Sequence, residues 1–148
     1  MITYMFVVPG NPRGKQRPRA TRQGRIFTPK ETIIYENLIK HEFISKYPDA
    51  APTDRPVMLQ ILAEYPIAES WSKKKKIAAD SMEVFPNKPD WDNVGKIVSD
   101  ALNKIAYMDD SQVFYASVLK RYSMRPRLTV LIRIFEEGER VLDYERNQ

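Results

Sequence analysis

The chain has 148 residues, 43% of them hydrophobic, and a formal net charge of +5, which suits one domain with one core. It has no cysteine and a single histidine, His41; this excludes disulfides, thiolate zinc sites, cysteine nucleophiles and sites built from several imidazoles, so a bound metal must be held mainly by oxygen, as Mg²⁺ or Mn²⁺ is. No apolar run reaches the length of a membrane span and Met1–Val8 lacks a secretory-signal pattern, so a cytoplasmic protein with no membrane partner is expected.

Residues 2–8 are β-branched and aromatic and predict a first strand, stopped by Pro9-Gly10. Residues 9–27 predict a loop rich in Pro, Gly and Arg, with a short extended piece at Arg25-Ile26-Phe27. This region carries the positive charge. Arg13, Lys15, Arg17, Arg19, Arg22, Arg25 and Lys30 fall within the first thirty residues, where there is no acidic residue. Such a segment is an electrostatic footprint for phosphate, or else a solvated basic loop.

Thr28-Pro29-Lys30-Glu31 predicts a helix start, with Thr28 as cap and Glu31 completing a capping box. The helix is expected to run to about Lys46, with Ile34, Leu38 and Phe43 on its apolar face. Val57–Tyr65 predicts a second strand. A short basic helix follows from Ser70-Trp71-Ser72 through Lys73, Lys74, Lys75 and Lys76 to about Asp80, and then an irregular stretch to Trp91. A third helix is expected from Asp92 or Asn93 to about Asn103, and two further strands at Gln112–Tyr122 and Leu128–Phe135, joined as a hairpin at Arg125-Pro126. Phe6, Phe114 and Tyr115 read as core, and His41 as an exposed helical residue without a role. The last dozen residues, about 137–148, read as a charged tail. The expected fold is a single α+β domain with a small mixed sheet of about four strands and two or three helices.

Four carboxylates crowd two short stretches, Asp90 and Asp92 in Pro89-Asp90-Trp91-Asp92-Asn93 and Asp109-Asp110 before a strand, with Asp100 between them. Pro89 favours an extended segment in which Asp90 and Asp92 face one way. Carboxylates gathered in one place repel unless a cation neutralises them, and a divalent metal does so while activating water and stabilising charge on a phosphate. Lys96 lies four residues after Asp92 and four before Asp100, on the same helical face. Each residue also has a bland reading: Asp92 as a helix cap, Asp109-Asp110 as a turn, Lys96 in a solvated ion pair.

The segment Lys88–Val113 resembles the RusA family of Holliday-junction resolvases. The resemblance rests on Asp90-Trp91-Asp92-Asn93 at a helix start, Lys96, Asp100-Ala101-Leu102, and Asp109-Asp110-Ser111-Gln112-Val113 before a strand. The opening, a strand followed by Pro9-Gly10 and the basic stretch Lys15–Arg25, is similar to the family's as well. The resemblance implies a RusA-like homodimer, of a kind often encoded by prophages, that nicks two strands symmetrically at a four-way DNA junction with Mg²⁺ or Mn²⁺, in recombination and repair. It implies Asp90, Asp92 and Asp110 as metal-binding catalytic carboxylates and Lys96 as the catalytic lysine. Asp109 is a further metal candidate, the choice between it and Asp110 staying open, and Asp100 is a supporting residue. Arg13, Lys15, Arg17, Arg19, Arg22 and Arg25 are then DNA-binding, with Lys73–Lys76 extending the surface, and Trp91 either stacks on an unpaired base or packs. Three other readings remain: a nuclease of broader branched-DNA specificity, a catalytically inactive junction-binding protein, and an acyl- or glycosyl-transferring enzyme using two aspartates, against which the basic N-terminal segment speaks.

Overall fold

The computed structural model describes residues 1–147. Four strands form one mixed sheet in the order β1-β6-β4-β5: β1 (Ile2–Pro9), β4 (Val57–Pro66), β5 (Val113–Ser123) and β6 (Arg127–Ile134). A two-stranded hairpin, β2 (Arg19–Ala20) with β3 (Ile26–Phe27), stands apart from it. The helices are α1 (Lys30–Lys46), α2 (Lys73–Asp80), α3 (Trp91–Leu102) and α4 (Val141–Arg146). The expected α+β domain is therefore present.

One face of the sheet carries Phe6 and Val8 of β1, Leu128, Val130 and Ile132 of β6, and Val57, Leu59, Ile61, Ala63 and Tyr65 of β4, all buried. Against it lie Tyr35, Ile39 and Phe43 of α1 and Val94, Ile97, Val98, Ala101 and Leu102 of α3. The opposite face shows Met5, Val7 and Leu119 to solvent, and α4 meets it where the Tyr144 ring packs beside Arg133 and Phe135. The edge strand β1 is closed by Tyr47, whose hydroxyl accepts from Met5 N at 3.0 Å and donates to Met5 O at 2.9 Å. This contact blunts the edge at Met5.

Four sequence expectations are corrected. β5 and β6 are not a hairpin: they flank β4, β5 parallel to it and β6 antiparallel. β4 is buried along nearly its whole length, so both of its edges must be paired, and Met124–Pro126 cross the roughly 10 Å of two strand spacings. Phe114 and Tyr115 are about half exposed, because β5 is an edge strand; Phe114 rests edge-on against Phe135 instead of entering the core. Thr28 is not the cap of α1. Pro29 holds that position, with no side-chain cap bond, and its carbonyl accepts from Thr32 N at 3.1 Å. Finally, Ile34 is 56% exposed, and the buried stripe of α1 runs Thr32, Tyr35, Ile39, Phe43. The helix has isoleucines on more than one side, and the edge-on packing of Phe43 against Phe6 and Tyr4 selects the inward one.

The basic loop contains β2 and β3 as an arm, turned by Gly24 at φ +80° with Gly24 N donating to Thr21 O at 2.9 Å. A positive φ at the turn is a glycine position. Within the charged tail, residues 141–146 are helical.

The helix face gives a direct test. Ile39→Ala is expected to cost about 2–5 kcal/mol in urea unfolding, as truncation of a fully buried aliphatic does. Ile34→Ala is expected to stay within about 0.5 kcal/mol, as exposed substitutions do.

Candidate active site

α3 begins one residue earlier than the sequence suggests, at Trp91, and this separates two of the acids. Asp90 is the N-cap, with extended backbone, and Asp92 lies in the first turn. They are not alternate residues of one strand. Asp90 opens onto a cavity of about 450 Å³ lined by Arg13, Gly14, Lys15, Tyr65, Lys88 and Asn93. Asp92 opens onto a separate cleft of about 250 Å³ between α3 and β5, shared with Trp91, Lys96, Ser99, Asp100 and Asp110. Asp92, Lys96 and Asp100 line it at the four-residue spacing of one helical face.

Asp110 reaches that cleft from a different part of the chain. Behind α3, the fully buried Tyr107 donates from its hydroxyl to Ser99 O at 2.9 Å. Burial pushes the Tyr107 hydroxyl up to about 12, so it stays a donor; its bond to Ser99 opposes the shift and the nearby charges of Asp110 and Asp100 add to it. Met108 N donates to Thr53 O at 3.0 Å, and Thr53 N donates to Ala106 O at 3.1 Å. A single 3₁₀ turn follows at Asp110–Gln112, closed by a reciprocal cap between Asp109 and Gln112. The Gln112 amide also donates to Thr53 O and Arg55 O, both at 2.8 Å. Asp110 is thus held at the foot of β5 by contacts with a loop far earlier in the chain.

The acids differ in their neighbours. Asp90 accepts from Lys88 Nζ at 3.0 Å, and that bond, with a smaller contribution from Lys120, holds its carboxyl below the usual range. Asp109 accepts from the Ser111 hydroxyl, which likewise holds it low, and does not line the α3–β5 cleft. Asp100 pairs with Lys15 at 3.1 Å and Lys96 at 3.7 Å. The carboxylates of Asp92 and Asp110 have no hydrogen-bond or ion-pair partner among the described residues. No three acidic side chains among the described residues gather closely enough to hold one ion.

The basic residues divide in the same way. Lys15 is partly buried, ion-paired with both Glu36 and Asp100, and its backbone N donates to Asn93 O at 2.8 Å. Lys15 therefore fastens the basic segment to α1 and α3. Arg13 lies at the large cavity, while Arg17, Arg19, Arg22 and Arg25 are exposed on and around the β2–β3 arm. Lys73–Lys76 form the start of α2, a different surface beside β5; Lys75 lies 4.0 Å over the Trp71 ring. Trp91 is 66% exposed, so it is not packed away.

Sequence reasoning missed the residues that hold the acids: Lys15 as a tie, Tyr107, Thr53, and Lys120, whose ammonium donates to Pro89 O at 2.9 Å and Asn87 O at 3.1 Å. Only Gln112 left a local signal, an Asp-x-x-Gln cap pattern. Lys15, Thr53 and Lys120 act between distant segments, and Tyr107 reaches back eight residues to Ser99.

The sequence profile of the family described as endodeoxyribonuclease RusA matches residues 9–133, a span that covers both clefts, β4, β5 and nearly all of β6. A Bacillus subtilis (strain 168) protein named "Uncharacterized protein YqaN" is 37% identical over 139 residues, 90% of this chain and 97% of its own.

Gly14 tests how tightly the acidic loop is held. A Cβ there would lie 2.8 Å from Pro89 Cβ and 3.2 Å from Asn93 Cβ. Gly14→Ala is expected to cost about 1–3 kcal/mol in urea unfolding, as overpacking does. It should also move the amide resonances of Asp90 and Asn93 in an ¹⁵N spectrum, whereas Gly24→Asn at the arm's turn should leave them in place.

Proposed function

Because the chain belongs to the RusA family of endodeoxyribonucleases, we propose that it cuts four-way DNA junctions by paired, divalent-metal-dependent nicks, acting as a homodimer in recombination and repair in the cytoplasm. One observation carries this reading: Asp92 and Asp110, both without partners among the described residues, open into the same cleft with Lys96 beside them.

The donor set fits a hard divalent ion in chemistry, being oxygen only and anionic. Asp92 and Asp110 would hold Mg²⁺ or Mn²⁺, with Asp90 the third ligand after leaving Lys88 and Asp109 the alternative to Asp110. When bound, such an ion polarises the phosphate and lowers the pKa of water. The chain supplies the rest. Asp100 orients Lys96, whose side chain is 61% exposed and free to meet a phosphate oxygen as negative charge develops. The first turn of α3 carries N–H groups without a side-chain cap bond, a favourable end for an anion. Water adds to phosphorus in line, the bond from phosphorus to the 3′-oxygen breaks, and that oxygen takes a proton. The products are a 5′-phosphate and a 3′-hydroxyl.

The exposed arginines of the β2–β3 arm and its approach are the proposed DNA grip, with Lys73–Lys76 of α2 as a second, separate basic patch. Two nicks require two sites, and closed two-fold symmetry matches that of a junction. The outer face of the sheet, where Met5, Val7 and Leu119 are exposed, is the proposed subunit interface.

A synthetic four-way junction and a linear duplex, each with Mg²⁺ or EDTA, test the reading. Paired nicks in the junction alone, requiring metal, are expected. Cutting of flaps and forks at equal rates would establish the broader nuclease instead, and tight binding without cutting would establish the inactive junction binder. Asp92→Asn is expected to abolish cleavage and retain junction binding. Replacing Arg17 and Arg19 by Ala is expected to reduce the slope of log affinity against log salt by about 2, close to one unit for each phosphate no longer neutralised.

A further inference from the structure

We propose that Lys120 is a positioning residue for Asp90, fixing from the sheet the loop that presents this carboxylate. The proposal rests on the reading of Asp90 as a metal ligand. Lys120 lies on β5, in register with Ala63 of β4 and on the same side of the strand as Val118 and Tyr122. It is half-buried and has no acidic ion-pair partner among the described residues. Its ammonium instead donates to two main-chain carbonyls, Pro89 O at 2.9 Å and Asn87 O at 3.1 Å. A partly buried ammonium gives up water, and hydrogen bonds from a charged donor are the strong kind that compensate.

The geometry connects two things that need a fixed relation. Pro89 O belongs to the peptide that leads into Asp90, and Asp90 is the N-cap from which α3 grows. The strand that carries Lys120 also begins immediately after the turn that holds Asp110 and Gln112. One strand therefore sets both ends of the acid set: its start follows Asp110, and Lys120, farther along, holds the entry to Asp90. On the other side Pro89 meets Gly14, where no side chain fits. The backbone at Asp90 is gripped from both sides. Its carboxylate, held only by the exposed Lys88, stays free to turn.

The alternative is that Lys120 merely supports the fold. Metal affinity separates the two, because a general loss of stability lowers the folded fraction without changing the affinity of the molecules that remain folded. Mn²⁺ is titrated calorimetrically into the full-length protein and into Lys120→Met, Lys120→Arg, Asp90→Asn, Asp92→Asn and the Lys120→Met/Asp90→Asn double variant, with thermal melts alongside. Lys120→Met is expected to raise the Mn²⁺ Kd at least tenfold, and Lys120→Arg, which keeps a charged donor for both carbonyls, to stay within threefold. The double variant should bind no more weakly than Asp90→Asn alone, since Lys120 acts through Asp90. An unchanged Kd in Lys120→Met, or additive losses in the double variant, would overturn the proposal. If Lys120→Met does not fold, Lys120→Gln replaces it under the same criteria. Should Asp90→Asn and Asp92→Asn both leave the Kd unchanged, the metal reading itself fails; if they raise it and Lys120→Met does not, only the role of Lys120 fails.

Discussion

A central strand satisfies its backbone only through its two neighbours, and β4, buried along nearly its whole length, is such a strand. Its two edges are taken by β6 and β5, the first antiparallel and the second parallel. A parallel neighbour needs a crossover that leaves one end of the sheet and returns to the other. Here the crossover is the stretch through α2 and α3, and it is the stretch that carries Asp90, Asp92, Lys96 and Asp100. The site is thus a product of how β4 is paired. Asp110 sits where the crossover returns to the sheet, and Asp92 where α3 begins its path back.

The same constraint explains why so many ties join the acids to remote segments. A crossover is long, and its ends are positioned only as well as its contacts allow. Tyr107 bonds the returning chain to Ser99, Gln112 binds it to Thr53 and Arg55, and Lys15 joins the N-terminal segment to Asp100. The basic segment thereby becomes part of the site's frame before it meets any ligand. Lys15 takes the framing role, while the arginines beyond it stay exposed.

Much of this was legible from residue patterns, and the rest has a common cause. The strands at Ile2–Val8 and Val57–Tyr65 and the amphipathic third helix follow from local composition, as does the spacing of Asp92, Lys96 and Asp100 on one face. The partner of each strand does not: Arg125-Pro126 looks like a hairpin turn because local sequence cannot say that β4 must pass between its arms. Phe114 and Tyr115 look like core because an aromatic residue does not report whether its strand is an edge. The direction of Asp90 turned on a single residue of helix extension at Trp91, which lies within the ordinary uncertainty of a helix boundary.

The charges account for the present shape of the site. Like carboxylates cannot be gathered without a cation, and here they are dispersed onto private partners: Asp90 on Lys88, Asp100 on Lys15 and Lys96, Asp109 on Ser111. Asp92 and Asp110 are left over, facing one cleft. They are the acids with most to gain from a divalent ion, because neither must first break a protein contact. On the proposed reading Asp90 would exchange Lys88 for the ion, and that pair is exposed and screened by solvent, so it is a weak contact. That cost is small beside the attraction of a divalent cation at close range. The arrangement therefore keeps its acids apart: Asp90, Asp100 and Asp109 each rest on partners of their own, while Asp92 and Asp110 face one cleft.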